Sequence, residues 1–238
     1  MNRIRSFVAA LLCASALGCL PAAAAADLVV VEATGVALKP GETVDGTKPL
    51  KLEQGQRVTL VSSTGKTLKL RGPYDQAPDP GTKEDSDNVL DKLRELGRSR
   101  TAVTERTGAV RSAAVERPLP EPWVLDVDRS GQRCLLENGP VVLWRADAGR
   151  AAELQIRPAD RSWQTKPTTW PADTPLLKLP ARLPLRDEAS YEVSLGERTV
   201  TLTMHVIPAS VAGDAMRAAW MVEKGCEPQA MALARGPS

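Results

Sequence analysis

Aromatic residues are scarce in this chain of 238: five Trp, two Tyr and one Phe, and that Phe, at position 7, sits in the N-terminal leader. A core must therefore come from Val and Leu around a few tryptophans, a composition that suits pleated packing. Histidine is scarcer still. With His205 alone, a histidine-based zinc site or a serine–histidine triad has one residue to draw on, and no glycine-flanked serine motif accompanies it. His205 alternates with Met204 and Val206 and falls in line with Thr201 and Thr203, which reads as the polar face of a strand.

Long apolar runs are also missing. The longest, Phe7 to Leu20, falls short of the roughly 20 residues a membrane helix needs. Arg3 and Arg5 precede it, and Pro21 and Ala22 to Ala26 follow, so residues 1–26 read as a secretory signal peptide with a mature start at Asp27. Ala16-Leu17-Gly18-Cys19 approximates a lipobox with Ala in place of the leading Leu, which makes acylation of Cys19 the lesser alternative. The expectation is a periplasmic protein with no membrane span in the mature chain. Net charge of one sign is absent too. Loss of Arg3 and Arg5 takes Lys plus Arg from 31 to 29, level with the 29 Asp plus Glu, so no global field argues for nucleic acid. The leader also removes Cys13 and Cys19. The even pair left, Cys134 and Cys226, is expected to form a disulfide in an oxidising compartment, closing a loop of about 90 residues.

What is present is mainly β-pattern with helices at the C-terminus. Residues 27–72 carry short strands at 28–32, 36–38, 49–52, 57–61 and 67–70, with Glu53-Gln54-Gly55 as one hairpin turn and 62–66 as the next. So small a β-module needs a neighbour to lean on. Residues 73–122 read as a charged connector, expected to be the least ordered part of the mature chain. It holds one short helix, capped by Asp85 or Ser86, striped by Val89, Leu90, Leu93 and Leu96, and stopped by Gly97. Arg98, Arg100, Arg106, Arg111 and Arg117 read as a solvated loop before a patch for an anionic surface, and no interleaved aromatics suggest single-stranded nucleic acid.

From Trp123 the pattern is that of a meander: strands at 124–127, 133–136 and 141–144 around turns at Asp128-Arg129-Ser130-Gly131 and Asn138-Gly139-Pro140. A strand at 153–156 follows, then proline-broken edge segments over 158–184, then a hairpin of 191–195 and 199–207 through Gly196-Glu197. Roughly seven strands over 123–208 suggest an immunoglobulin-like β-sandwich. Residues 209–238 close it with a short helical hairpin, 214–224 and 229–234, broken at Gly225 and restarted at Pro228.

The run LKPGETVDGTKPLKLEQGQRVTLVSSTGKTLKLRGPY, residues 38–74, resembles the glycine-punctuated β-modules of FecR-like periplasmic domains in exported proteins of Gram-negative bacteria. That resemblance implies action through protein contact rather than catalysis. The membrane-crossing and sigma-regulating segments of FecR-like transducers find no counterpart in this sequence.

Two motifs touch on chemistry. Gly65-Lys66-Thr67 has the ending of a phosphate loop, but Leu60 stands where the first glycine belongs and a hairpin replaces strand–loop–helix. Asp126, Asp128, Ser130 and Glu137, with Gly131 between, have the spacing of an EF-hand calcium loop. Prolines flank the segment where helices should be, Arg133 replaces an apolar residue, and a strand hairpin would splay the oxygens, all of which favours a structural turn. No catalytic or cofactor-binding residue and no cofactor is expected. The function expected is a non-catalytic periplasmic or envelope binding or scaffold protein contacting an unknown envelope protein. The alternatives are a carboxylate-type cell-wall hydrolase or a structural calcium-binding protein through Asp126–Glu137.

Overall fold

The computed structural model describes residues 27–78, 89–106 and 117–236, with 100–106 as backbone only. The leader with Cys19, the cap residues Asp85 and Ser86, and Arg111 lie outside the described residues, as does much of the connector expected to be least ordered.

The N-terminal unit contains β1 (Asp27–Thr34), β2 (Thr43–Asp45), β3 (Leu50–Leu52), β4 (Arg57–Ser62), β5 (Thr67–Arg71) and β6 (Tyr74–Gln76). Four of these form an antiparallel sheet in the order β2-β1-β4-β5, and β3 pairs with β6. Two expectations change here. Residues 36–38 are not a strand, because the chain turns at Gly35 (φ 73°), although Val36 and Leu38 still pack on the local core. Glu53-Gln54-Gly55 is not a hairpin either. It carries the chain from one sheet to the other, since the partner of β3 is β6, which sequence pattern assigned to the connector.

Period-two alternation in β1 buries both faces. Leu28 and Val30 join Leu52, Val58 and Leu60 in one cluster, whereas Val29 and Val31, with Val61, face the opposite way into the helices. The sheet is thus a layer of the protein and buries on a neighbour the apolar surface it cannot cover itself.

Those helices are α1 (Val89–Arg106), α2 (Asp214–Glu223) and α3 (Glu227–Arg235). Val29, Val31 and Val61 share one buried cluster with Leu93, Met216, Trp220, Met221, Ala230 and Leu233, and Val89 and Leu90 pack against it. The stripe on α1 does what its spacing predicts, except that Leu96 remains 52% exposed. Gly97 does not stop α1, which runs on to Arg106. A stop glycine adopts positive φ, and Gly97 is not among the glycines that do. It sits inside the helix at a cost of about 1 kcal/mol relative to Ala. Arg94 Nε donates to the carbonyl of Ala234 (2.7 Å), tying α1 to the end of α3. Gly225, at φ 75°, ends α2, and Pro228 opens α3 as expected.

The remaining strands are β7 (Val124–Asp126), β8 (Gly131–Leu136), β9 (Val142–Trp144), β10 (Ala152–Pro158), β11 (Thr168–Trp170), β12 (Leu176–Lys178), β13 (Ser190–Leu195) and β14 (Arg198–Ile207). They form a five-stranded sheet, β11-β10-β13-β14-β8, facing a three-stranded one, β12-β9-β7. Leu125, Val127 and Leu143 of the smaller sheet meet Leu154, Ile156, Tyr191, Val193, Leu202 and Met204 of the larger in a second core. The fold is mainly β, a sandwich-like body with C-terminal helices. The proline-rich stretch supplies β11 and β12, both at sheet edges, and Gly196 (φ 59°) turns the β13–β14 hairpin.

The meander does not form. β7 pairs in parallel with β9, and β8 pairs in parallel with β14, so the strands from β7 to β10 alternate between the two sheets. Immunoglobulin sandwiches, by contrast, are built of antiparallel sheets. The physical reason lies in β8, where Arg133, Cys134 and Leu135 are all buried. A strand covered on both faces belongs in a middle layer, between the sandwich core on its Leu135 side and the helices on its Cys134 side.

Candidate functional site

The segment from Asp126 to Glu137 is the crossing between sheets, and its oxygens are engaged separately. Asp126 Oδ1 accepts the amide of Asp128 (2.8 Å), and its Oδ2 lies 3.4 Å from Arg129 Nε. Asp128 accepts the amide of Ala146 (2.6 Å) and pairs with Arg198 (2.5 Å). Ser130 Oγ accepts the amide of Thr201, and Glu137 accepts that of Ala209. Each of the four side chains thus engages a different strand or loop. Among the described residues no group of three or more His, Cys, Asp or Glu side chains is placed to share a metal. Arg133, at the loop position where an apolar residue is customary, fills the interior of the crossing. It donates to the carbonyls of Asp126, Arg129 and Gln132, and burial lowers its pKa, with Asp126 opposing that shift.

Cys134 of β8 and Cys226 at the elbow between α2 and α3 are joined by a disulfide, with Cα atoms 5.9 Å apart. Both are fully buried. Beside the bond, the side chain of Gln229 accepts the Cys134 N–H and donates to the Cys134 and Pro122 carbonyls. Nothing in the sequence pattern singled out Gln229, which sits on the apolar face of α3 as a lone amide.

His205 lies next to this corner, opposite Cys134 in the β14–β8 register. One ring nitrogen, Nε2, is 2.8 Å from Gln132 Oε1, and the other, Nδ1, is buried without a partner. The polar strand face read from sequence holds for Thr201, which is exposed, but His205 is half-buried at its border. Burial lowers its pKa below the ordinary 6.5 and Lys224 acts in the same direction, against Asp187 and Glu188. With the folded-state pKa depressed, the unfolded chain binds more protons at mildly acid pH, so stability falls as pH drops through 6.5. His205→Gln removes that term. The wild-type chain is therefore expected to lose more melting temperature than the variant between about pH 7 and about pH 5, where His is the side chain that ordinarily titrates. Parallel melting curves for the two would reject the assignment.

Two hollows lie among the described residues. The larger hollow, about 440 Å³ and open to solvent, lies beside the β3–β6 pair and is lined by Lys51, Leu52, Glu53, Gln54, Pro73, Tyr74 and Asp75. It holds two carboxylates. Glycoside hydrolysis of the acid–base type relies on one carboxyl kept in apolar, water-poor surroundings, and both Glu53 and Asp75 stand in solvent. The smaller hollow, about 130 Å³, lies between Leu93, Leu96, Val222, Glu227 and Met231. Gly65-Lys66-Thr67 closes the β4–β5 hairpin, with Gly65 at φ 83° pressed against Ala215. Of the arginine run, Arg98 and Arg117 are exposed.

One charged pair escaped the sequence reading. Arg57 and Arg71 stand directly opposite each other on β4 and β5, both exposed, and neither side chain makes a hydrogen bond or ion pair with a described residue. The signal was available, because the 62–66 turn fixes which residues of the hairpin face each other. Comparison with protein-family models, with curated proteins and with solved structures finds no match to this chain.

Proposed function

We propose that this chain is a non-catalytic binding or scaffold protein of the periplasm or cell envelope that acts through protein contacts, as its resemblance to FecR-like modules implies. The observation that carries the reading is how its buried polar side chains are used. Arg133 and Gln229 spend their donors on main-chain carbonyls, and so does Arg145, which bonds Thr174, Arg150 and Pro171 while lying over Trp170. Asp126 turns its own loop. Such groups stiffen a framework and are not aimed into a cavity where a substrate would sit. The disulfide, and the absence of any described helix long and apolar enough to cross a membrane, are compatible with an extracytoplasmic site of action.

Crosslinking in intact envelopes, followed by capture of the chain, is expected to trap a discrete protein partner. Incubation with purified peptidoglycan is expected to release no soluble fragments. Release of fragments, lost on Glu53→Gln or Asp75→Asn, would instead establish the hydrolase.

A further inference from the structure

β5 is the open edge of the N-terminal sheet, with β4 on one side and no described strand on the other. Antiparallel strands alternate hydrogen-bonded and non-hydrogen-bonded pairs. The bonds from Gly72 N to Gln56 O (2.9 Å) and from Ser62 N to Lys66 O (3.0 Å) set the phase. In the register Arg57↔Arg71, Thr59↔Lys69 and Val61↔Thr67, these are therefore the non-hydrogen-bonded pairs. It follows that the main-chain N–H and C=O groups of Thr67, Lys69 and Arg71 point away from β4, and no described residue bonds them.

The same phase places the two arginines at the closer of the two cross-strand spacings, with Cα atoms about 4.5 Å apart. Like charges directly opposite destabilise a sheet. Lys69, on the same face, is neutralised by Glu223 at 2.8 Å, but Arg57 and Arg71 have no counter-charge among the described residues, and Glu32, in the row of Thr59 and Lys69, bonds neither. On the opposite face of β5, Leu68 and Leu70 are half-buried against the local core.

We infer that the β5 edge is a docking strand for an extended acidic segment of a partner protein; the inference rests on the contact-protein reading above and names the partner's chemistry. The segment adds a fifth strand by bonding Thr67, Lys69 and Arg71. The residue opposite Arg71 shares a face with both guanidiniums, so a carboxylate there is held by two cations. Residues opposite Leu68 and Leu70 extend the apolar face. The recognised pattern is therefore alternating acidic and apolar. Main-chain bonds supply affinity and the arginines supply selection. They also keep two copies of this edge apart, because self-pairing would set Arg71 and Lys69 against their counterparts.

The test is titration of the ¹⁵N-labelled chain with an acetylated, amidated Glu-Val-Glu-Val-Glu peptide. Binding with new exchange protection at the amides of Thr67, Lys69 and Arg71 is expected, with affinity falling about tenfold or more in Arg71→Glu. Arg57→Glu, which supplies Arg71 with an internal partner, is expected to weaken binding while keeping or raising the melting temperature. The inference is overturned if the peptide does not bind, if Lys-Val-Lys-Val-Lys binds equally well, or if N-methylating the peptide amides that face β5 leaves affinity unchanged. Any of these leaves the contact-protein reading to its own crosslinking experiment.

Discussion

Replacing Cys134 and Cys226 together by alanine is expected to lower the stability of the oxidised chain by on the order of 4–5 kcal/mol, a third or more of what a typical domain has in hand. The two cysteines are 92 residues apart in sequence, so the bond removes much of the freedom of the unfolded chain. In the folded chain it fixes the α2–α3 elbow to β8, which is the last strand of the five-stranded sheet. The helices it anchors are those that carry Val29, Val31 and Val61 of the N-terminal sheet. Urea unfolding of the wild-type chain, with and without reductant, should reproduce the shift seen in the double variant. Coincident midpoints, or two reactive thiols in denatured, unreduced protein, would show that the bond is not formed.

The parts of the fold legible in the sequence are those whose partners are near in sequence. The β13–β14 hairpin is local, with Gly196 at its turn, and alternation along it marks Tyr191, Val193 and Leu195 as inward. The stripe of α1 and the Gly225–Pro228 break are local as well. β8 is different, because its partner β14 begins some 70 residues later, and a parallel pairing leaves no turn to announce it. Asp128 to Gly131 read as a hairpin turn, yet the segment crosses between the two sheets, because a turn chemistry does not say which sheet the chain enters next. What decides it is the burial of Arg133, whose guanidinium occupies the crossing, and nothing in a single sequence distinguishes this arginine from an exposed one. The disulfide could be inferred from parity and compartment alone. The arginine pair on β4 and β5 was legible by register, because the same 62–66 turn that sets Val58 opposite Leu70 sets Arg57 opposite Arg71.

Gln229→Leu is expected to cost about 2–5 kcal/mol, because burial makes the loss of this one amide a loss for three backbone groups at once, two of them on Cys134. Gln229 is 1% exposed, and its Oε1 accepts the Cys134 N–H at 2.7 Å while its Nε2 donates to the Cys134 carbonyl at 2.8 Å. The side chain thus takes the place of a neighbouring strand on the outer side of β8, where an open main chain would otherwise be buried under α3. Leucine fills much the same volume but leaves the N–H and C=O of Cys134 dry and unpaired. Glutamate separates this account from simple packing. It keeps the acceptor for the Cys134 N–H, but turns a second, charged oxygen toward the carbonyls of Cys134 and Pro122. Gln229→Glu is therefore expected to destabilise more than Gln229→Leu near neutral pH and to recover part of the loss in acid, where a protonated carboxyl again offers a donor. Urea midpoints of the three chains, measured against pH, supply the comparison. Because Cys134 carries both the disulfide and the amide clamp, combining Gln229→Leu with loss of the bond should cost less than the sum of the two separately. Additive losses would mean that α3 is held to β8 by two independent fastenings rather than one shared corner.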